Sequence, residues 1–240
     1  MPALKPVPRG DAVEVVYSPE HWRLFEELRA RAIEVMEGLE RAGMRAIVHG
    51  SVARGDVGPK SDVDVVIPYP VPSFKVEVVL EASGLSPVER VMVMATPAHV
   101  IKAHVYLDER TCVTFPLVEP TKLEREFYRW GGELTLEELK KGIRTMGVDK
   151  RLMLIRPTLK GHIEEPIKGR EAEVARLLNV SIDIVKERVY ILLRRDAIGR
   201  TGVYLKYYLA PDETFEGALR RLSDRDPAIK RLLRDRSSLM

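Results

Sequence analysis

The chain has 240 residues, 45% apolar and 31% charged, with a formal net charge of +3 and a single cysteine. That length supports one large domain or two small ones with a substantial core, and the near-balance of charge excludes a polybasic nucleic-acid binder by bulk charge. One cysteine excludes a disulfide framework and a Cys-based zinc site. No apolar run reaches transmembrane length. The N-terminus, Met-Pro-Ala-Leu-Lys-Pro, lacks the apolar core of a signal peptide. A cytoplasmic protein with no membrane partner is the expectation. The chain has no Gln and one Asn, Asn179, among many Arg and Glu. Depletion of thermolabile amides beside abundant ion-pairing residues is a thermophile pattern.

Residues 1–17 read as an irregular arm. Ser18-Pro19-Glu20 opens a helix, with Ser at the N-cap and Pro at the first helical position. Trp22, Phe25, Leu28, Ala32, Val35 and Leu39 recur at three and four, which carries that helix to about Ala42, where Gly43 closes it. Arg45–Val48 is a short strand leading into Gly50-Ser51. Asp62-Val-Asp64-Val-Val-Ile67 reads as a buried strand.

The 49–67 stretch is the most informative in the chain. Side chains at i and i+2 of a strand share a face, so Asp62 and Asp64 project together. Two carboxylates on a mostly apolar strand are costly without a cation between them. Mg²⁺ (or Mn²⁺) suits them, because Mg²⁺ takes one or two carboxylates plus substrate phosphates. A strand that ends in Gly-Ser and opens into a short helix presents backbone N–H groups to an anion. Ser51 adds a hydroxyl, and Arg54 and Lys60 add positive charge.

Beyond it, Pro68-Tyr-Pro70-Val-Pro72 ends the strand and 73–83 reads as a helix. Val88–Ala95, His99–Leu107 and Thr111–Val118 read as strands, the last two joined by the polar turn Asp108-Glu109-Arg110. Helices are expected over 121–129 and 135–145. Pro and Gly punctuation over 156–169 marks a linker. Residues 170–178 and 182–195 are helices around an Asn179-Val180-Ser181 turn. Residues 197–209 read as a β-ribbon with a glycine tip, and 214–222 and 227–236 as closing helices.

On Gly50-Ser51-x-Ala53-Arg54-Gly55 and Ser61-Asp62-Val63-Asp64, the chain resembles the nucleotidyltransferase superfamily of the DNA polymerase β type. The likeness is closest to the minimal prokaryotic nucleotidyltransferases and more distant to archaeal CCA-adding enzymes. The order helix, turn, helix, hairpin after residue 170 resembles a winged helix-turn-helix. The expected fold is therefore α/β (α+β). A small mixed sheet forms a nucleotidyltransferase-like domain over 1–156. A linker over 157–169 joins it to a winged-helix-like domain over 170–240.

The resemblance implies transfer of a nucleoside monophosphate from an NTP to an acceptor hydroxyl, with release of pyrophosphate. Asp62 and Asp64 would be catalytic and metal-binding, and Gly50, Ser51, Arg54, Lys60 and Ser61 phosphate-binding. The acceptor is open between RNA, a protein side chain and a small molecule, and the oligomeric state is open as well. The alternative is a nucleotide-binding regulator without turnover that binds DNA through the winged helix. Arg194, Arg195, Arg200 and Lys206 are the candidate nucleic-acid contacts, with Arg188 nearby, and they would act through phosphates. The superfamily usually carries a third carboxylate on a later strand. Thr111–Leu117 has none; Asp108 or Glu109 in the preceding turn, or His104, could substitute. Cys112 reads as a small buried residue. His49 either faces the site or packs under the turn, His162 is expected to be a solvent-exposed linker residue, and Asp196 to mark a helix C-terminus.

Overall fold

The computed structural model describes residues 5–7, 10–199 and 202–236. It divides into two compact units, each assembled from three separated segments of chain. The first takes Met1–Ala30, Val48–Ser61 and Arg125–Thr201; the second takes Arg31–Ile47, Asp62–Glu124 and Gly202–Met240.

Helix α1 (Pro19–Arg41) contributes its first half to the first unit and its second half to the other. It starts and stops as its sequence requires, with Gly43 at φ 78° taking the left-handed conformation that ends it. Its buried stripe is Phe25, Leu28, Ala32, Val35, Met36 and Leu39.

In the first unit, β1 (Val13–Val16), β8 (Gly147–Val148), β9 (Met153–Thr158) and β10 (Gly161–Pro166) form an antiparallel sheet in the order β1-β10-β9-β8. Two expectations are corrected here. The arm over 1–17 contains a strand, and the supposed linker over 156–169 is the β9–β10 hairpin and its exit. Strand β1 escapes the hydrophobic pattern because three of its four residues are exposed; its backbone, not an apolar face, holds it to β10. The close approach needs Gly161, where a Cβ would fall 1.9 Å from the Val15 carbonyl oxygen. The same unit holds β2 (Ile47–His49, its first residue in the other unit), the short helix α2 (Ser51–Arg54), α4 (Lys122–Gly131, from Arg125 onward) and β7 (Glu133–Thr135). It also holds α5 (Leu136–Lys140), α6 (Glu171–Leu177) and α7 (Ile182–Ile198). Helix α5 is shorter than expected: a Thr135/Glu138 capping box starts it, and Gly142 at φ 71° follows its end. Ser181 precedes α7, but its hydroxyl donates to the buried carboxylate of Glu126 rather than capping the helix.

In the second unit, β3 (Val63–Val66), α3 (Ser73–Ala82), β4 (Glu89–Met94), β5 (Ile101–Tyr106), β6 (Thr111–Pro116), β11 (Leu205–Tyr208), α8 (Phe215–Arg225) and α9 (Pro227–Arg236) follow the expected order. The strands run β11-β4-β5-β6-β3, with β3 parallel to β6 and the other pairs antiparallel. One face is apolar and buried, built from Val63, Val65, Val113, Phe115, Val105, Ala103, Met92 and Met94. Phe215 of α8 meets Phe115 edge-on with ring centroids 5.8 Å apart. Glu216 accepts hydrogen bonds from the Ser73 amide (2.7 Å) and hydroxyl (2.6 Å), pinning the start of α3.

The expected β-ribbon over 197–209 is not formed by the described residues. Helix α7 continues to Ile198, and the one strand described there, β11, pairs with β4 rather than with a neighbour in its own segment. Helices α6 and α7 flank the expected turn, but the winged-helix resemblance is not confirmed.

Candidate active site

Gly50 ends β2 and precedes α2 with φ 84° and ψ −141°, a conformation that favours glycine. Its N–H donates to the Gly132 carbonyl at 2.9 Å, and its own carbonyl accepts from Ala53 and Arg54. A Cβ at Gly50 would meet nothing within 4 Å, so this side of the turn is open. The first-turn amides of Ser51 and Val52 have no acceptor inside the helix. The Ser51 hydroxyl donates to that of Ser61 at 3.1 Å, which in turn accepts from the Gly58 amide at 2.9 Å. The turn is thereby closed onto the residue directly before Asp62. Lys60 is exposed at the edge of this loop.

Arg54 does something other than expected. It is only 5% exposed. Its Nε and Nη2 donate to the two carboxylate oxygens of Asp56 at 2.9 and 2.8 Å, and its Nη1 donates to the Gly131 carbonyl at 2.5 Å. Such a bidentate pair holds the exit of the turn rigid, and each of its nitrogens has an acceptor within the protein. The pairing hinges on Asp56, two residues past Arg54, a carboxylate the sequence reading passed over.

The aspartates lie in the second unit. Asp62 is exposed just before β3, and Asp64 is half-buried within it. Residues opposite one another in a sheet share a face. The register places Asp64 beside Cys112, Cys112 beside Tyr106, and Tyr106 beside Glu89, one row across β3, β6, β5 and β4. Where a third carboxylate was sought, the neighbour of Asp64 is thus a thiol. Burial pushes the Cys112 thiol up to about 12, with Asp64 and Asp62 adding to the effect against a Thr114 hydrogen bond. Tyr106 is likewise pushed up to about 12, by burial and then by Cys112, Glu89 and Asp64. Both stay neutral at physiological pH.

Asp108 and Glu109 do not supply the missing acid. Asp108 accepts from the Arg110 and Thr111 amides at 2.8 Å each and from Arg31 at 3.0 Å. Burial raises its pKa, but those bonds prevail and hold it below the usual carboxylate range. It is a turn residue. Glu109 is exposed in that turn. His104 is hydrogen-bonded through Nδ1 to the Thr114 hydroxyl at 2.9 Å, with the Cys112 sulfur 3.8 Å away. Burial, then Lys102 and Lys206, push it down to about 4.

His49 and His162 both make contacts within the fold. His49 donates through Nδ1 to the Tyr128 carbonyl at 3.1 Å and packs against the rings of Phe127 and Tyr128, under the turn. His162, expected in solvent, is buried on β10, with Nδ1 2.7 Å from the Tyr17 hydroxyl. Its burial follows from the hairpin that the punctuation concealed.

Among the described residues no group of three His, Cys, Asp or Glu side chains could hold a metal ion. Asp62 and Asp64 therefore fit an ion that brings its remaining oxygens with it, from phosphate and water. They do not fit a preformed protein cage.

Arg194 and Arg195 are exposed near the end of α7, and Asp196 follows them there. Arg188 is instead stacked over Phe127 (4.9 Å) and Trp130 (5.6 Å). Lys206 is exposed on β11, 4.7 Å from the Tyr208 ring centroid. Arg200 lies outside the described residues. No helix among the described residues is long and apolar enough to cross a membrane.

A family model described as nucleotidyltransferase domain matches residues 29–191, more than half of the chain. No curated protein matches. No solved structure matches.

Proposed function

Since the chain belongs to the nucleotidyltransferase domain family, we propose that it transfers a nucleoside monophosphate from an NTP to an acceptor hydroxyl and releases pyrophosphate. The observation that carries this is the pair Asp62 and Asp64, alternate residues just before and within β3, following a glycine-opened turn. The pair supplies carboxylate oxygens for a divalent ion, Mg²⁺ or Mn²⁺. Bound there, the ion would neutralise the triphosphate and lower the pKa of the acceptor hydroxyl. Ser51 would turn its hydroxyl from Ser61 to donate a hydrogen bond to phosphate, and Gly50 lets phosphate approach the backbone closely. Ser61 holds the Ser51 side chain beside the turn until then. Lys60 adds exposed positive charge, whereas Arg54 acts through Asp56 by holding the turn.

A second reading has one observation in its favour. Strand β6 carries Cys112 beside Asp64 rather than an acid. On that reading the protein binds a nucleotide without turnover and regulates through nucleic-acid contacts at Arg194, Arg195, Arg200 and Lys206. We favour the enzyme, because two aspartates suffice for an ion held jointly with phosphates.

Incubation with each labelled NTP and Mg²⁺, alone and with total RNA, tests both. Label transferred to any acceptor, with pyrophosphate released in equal amount, supports the enzyme. Saturable nucleotide binding with no transfer supports the regulator and overturns the first reading.

A further inference from the structure

The face of the second unit's sheet that carries Asp64 continues away from the aspartates. Register places Cys112 and Thr114 of β6 on it, then His104 and Tyr106 of β5, then Glu89, Val91 and Val93 of β4. On β11 the residues opposite Val93 and Val91 are Lys206 and Tyr208. Strands are spaced about 4.8 Å apart, so this face runs roughly 19 Å from β3 to β11. Its character changes along the way. The acids Asp62, Asp64 and Glu89 lie in or beside the first row. Two tyrosines follow on the diagonal, Tyr106 half-buried and Tyr208 51% exposed. Lys102 and Lys206 lie in the row furthest from the aspartates, on either side of Val93. Thr114, Cys112 and Val91 are buried, so beyond the aspartates the accessible part includes Tyr106, Glu89, Lys102, Tyr208 and Lys206.

We infer that this face is the acceptor site and that the acceptor is the hydroxyl end of a single-stranded nucleic acid. The inference rests on the nucleotidyltransferase reading of Asp62 and Asp64. Aromatic rings that stack on bases, interleaved with cations that meet the backbone, are the chemistry by which single strands are held. A terminal hydroxyl at the aspartate end would set its own base against Tyr106, and a base and phosphate further along the strand would meet Tyr208 and Lys206 on β11. A protein side chain as acceptor would need no such combination of rings and lysines. The exposed carboxylate of Glu89 repels phosphate from the intervening strand, which favours the tyrosine-to-lysine diagonal. The transfer itself is balanced: the acceptor oxygen forms a bond to the α-phosphorus, the bond to the bridging oxygen breaks, and pyrophosphate leaves as the hydroxyl proton is lost.

The test uses the full chain, a fluorescein-labelled mixed-sequence oligoribonucleotide and fluorescence anisotropy at low salt. Tyr208→Ala is expected to weaken binding about tenfold, the loss of one stacked base. Lys206→Glu should weaken it and reduce its salt dependence. Thermal melts of both variants check the fold. The same measurements in an Asp64→Asn background separate the two claims. Oligonucleotide binding that falls with Tyr208→Ala, while Asp64→Asn alone removes transfer, supports the inference and the reading together. Undiminished oligonucleotide binding in Tyr208→Ala and Lys206→Glu overturns the inference and leaves the reading standing. So does label transferred to protein at the parent rate in both variants. Binding lost in those variants, from a parent protein that transfers nothing, overturns the reading and leaves a nucleic-acid site on this face.

Discussion

Asp64 and Cys112 occupy matched positions on the parallel strands β3 and β6, so the thiol is the immediate neighbour of the second aspartate on the face they share. The thiol is buried and held neutral by its surroundings and by the carboxylates beside it. A carboxylate at this position would add a third acid to the pair; the cysteine leaves two. This relationship sharpens the choice between turnover and binding, because an ion held by two aspartates depends on the nucleotide for the rest of its shell.

Cys112→Asp turns that relationship into an experiment. Without metal, a third acid buried beside Asp64 should destabilise the fold by about 3 kcal/mol. For a chain of this size that corresponds to roughly 6–12 °C in melting temperature. Mg²⁺ should restore most of the loss in the variant and do little for the parent protein. A melting temperature that ignores Mg²⁺ in Cys112→Asp would place the metal away from this pair.

Asp62→Ala and Asp64→Ala remove the ion's protein ligands. Asp62 is exposed and Asp64 half-buried, so neither substitution opens the core. Transfer should fall by about 10³-fold or more, because several kcal/mol of charge stabilisation are lost. The melting temperature should barely change. Transfer by both variants at the parent rate would remove the aspartates from the chemistry.

Much of the fold was legible in the sequence, for identifiable reasons. Apolar positions at three and four placed α1, and a valine-rich run placed β3, with Asp64 within it and Asp62 just before it. What escaped was nonlocal. Strand β1 is mostly exposed and is held through its backbone, so it has no apolar alternation to read. Pro157, Gly161 and Pro166 look like linker punctuation, yet they lie inside a hairpin whose glycine is needed for the approach of β1. Tyr204–Tyr208 carries strand propensity, but nothing local says that its partner is β4. Arg54 looked like a phosphate ligand because it sits one turn past Gly50. Its Asp56 partner was visible in the sequence; its burial was not.

Gly50 and Ser51 separate strain from ligand contact. In Gly50→Val the new side chain enters open space, but φ 84° is left-handed and disfavours any β-branched residue. A loss of about 1–2 kcal/mol in stability is expected from the backbone, together with loss of NTP binding. Ser51→Ala should leave the fold nearly unchanged and weaken NTP binding by about 1 kcal/mol. Calorimetry with a non-hydrolysable NTP reads both. Parent-like affinity in Gly50→Val would put the phosphates elsewhere.

His104 should make stability fall on mild acidification. Its pKa in the fold is pushed down to about 4 from the ordinary 6.5, by burial and then by Lys102 and Lys206. Between those two values the unfolded chain binds a proton that the folded chain refuses. The unfolded state then carries more protons, so stability rises with pH across that window and is lost as pH falls from about 6.5 to 4. Below about 4 both states are protonated and the penalty stays constant, on the order of 3 kcal/mol. His104→Gln keeps a hydrogen-bonding partner for Thr114 and cannot titrate. Urea unfolding from pH 4 to pH 7 should therefore give a shallower slope in His104→Gln than in the parent. Parallel curves for the two proteins would show that His104 titrates normally in the fold, and that neither burial nor the two lysines disfavour its charged form.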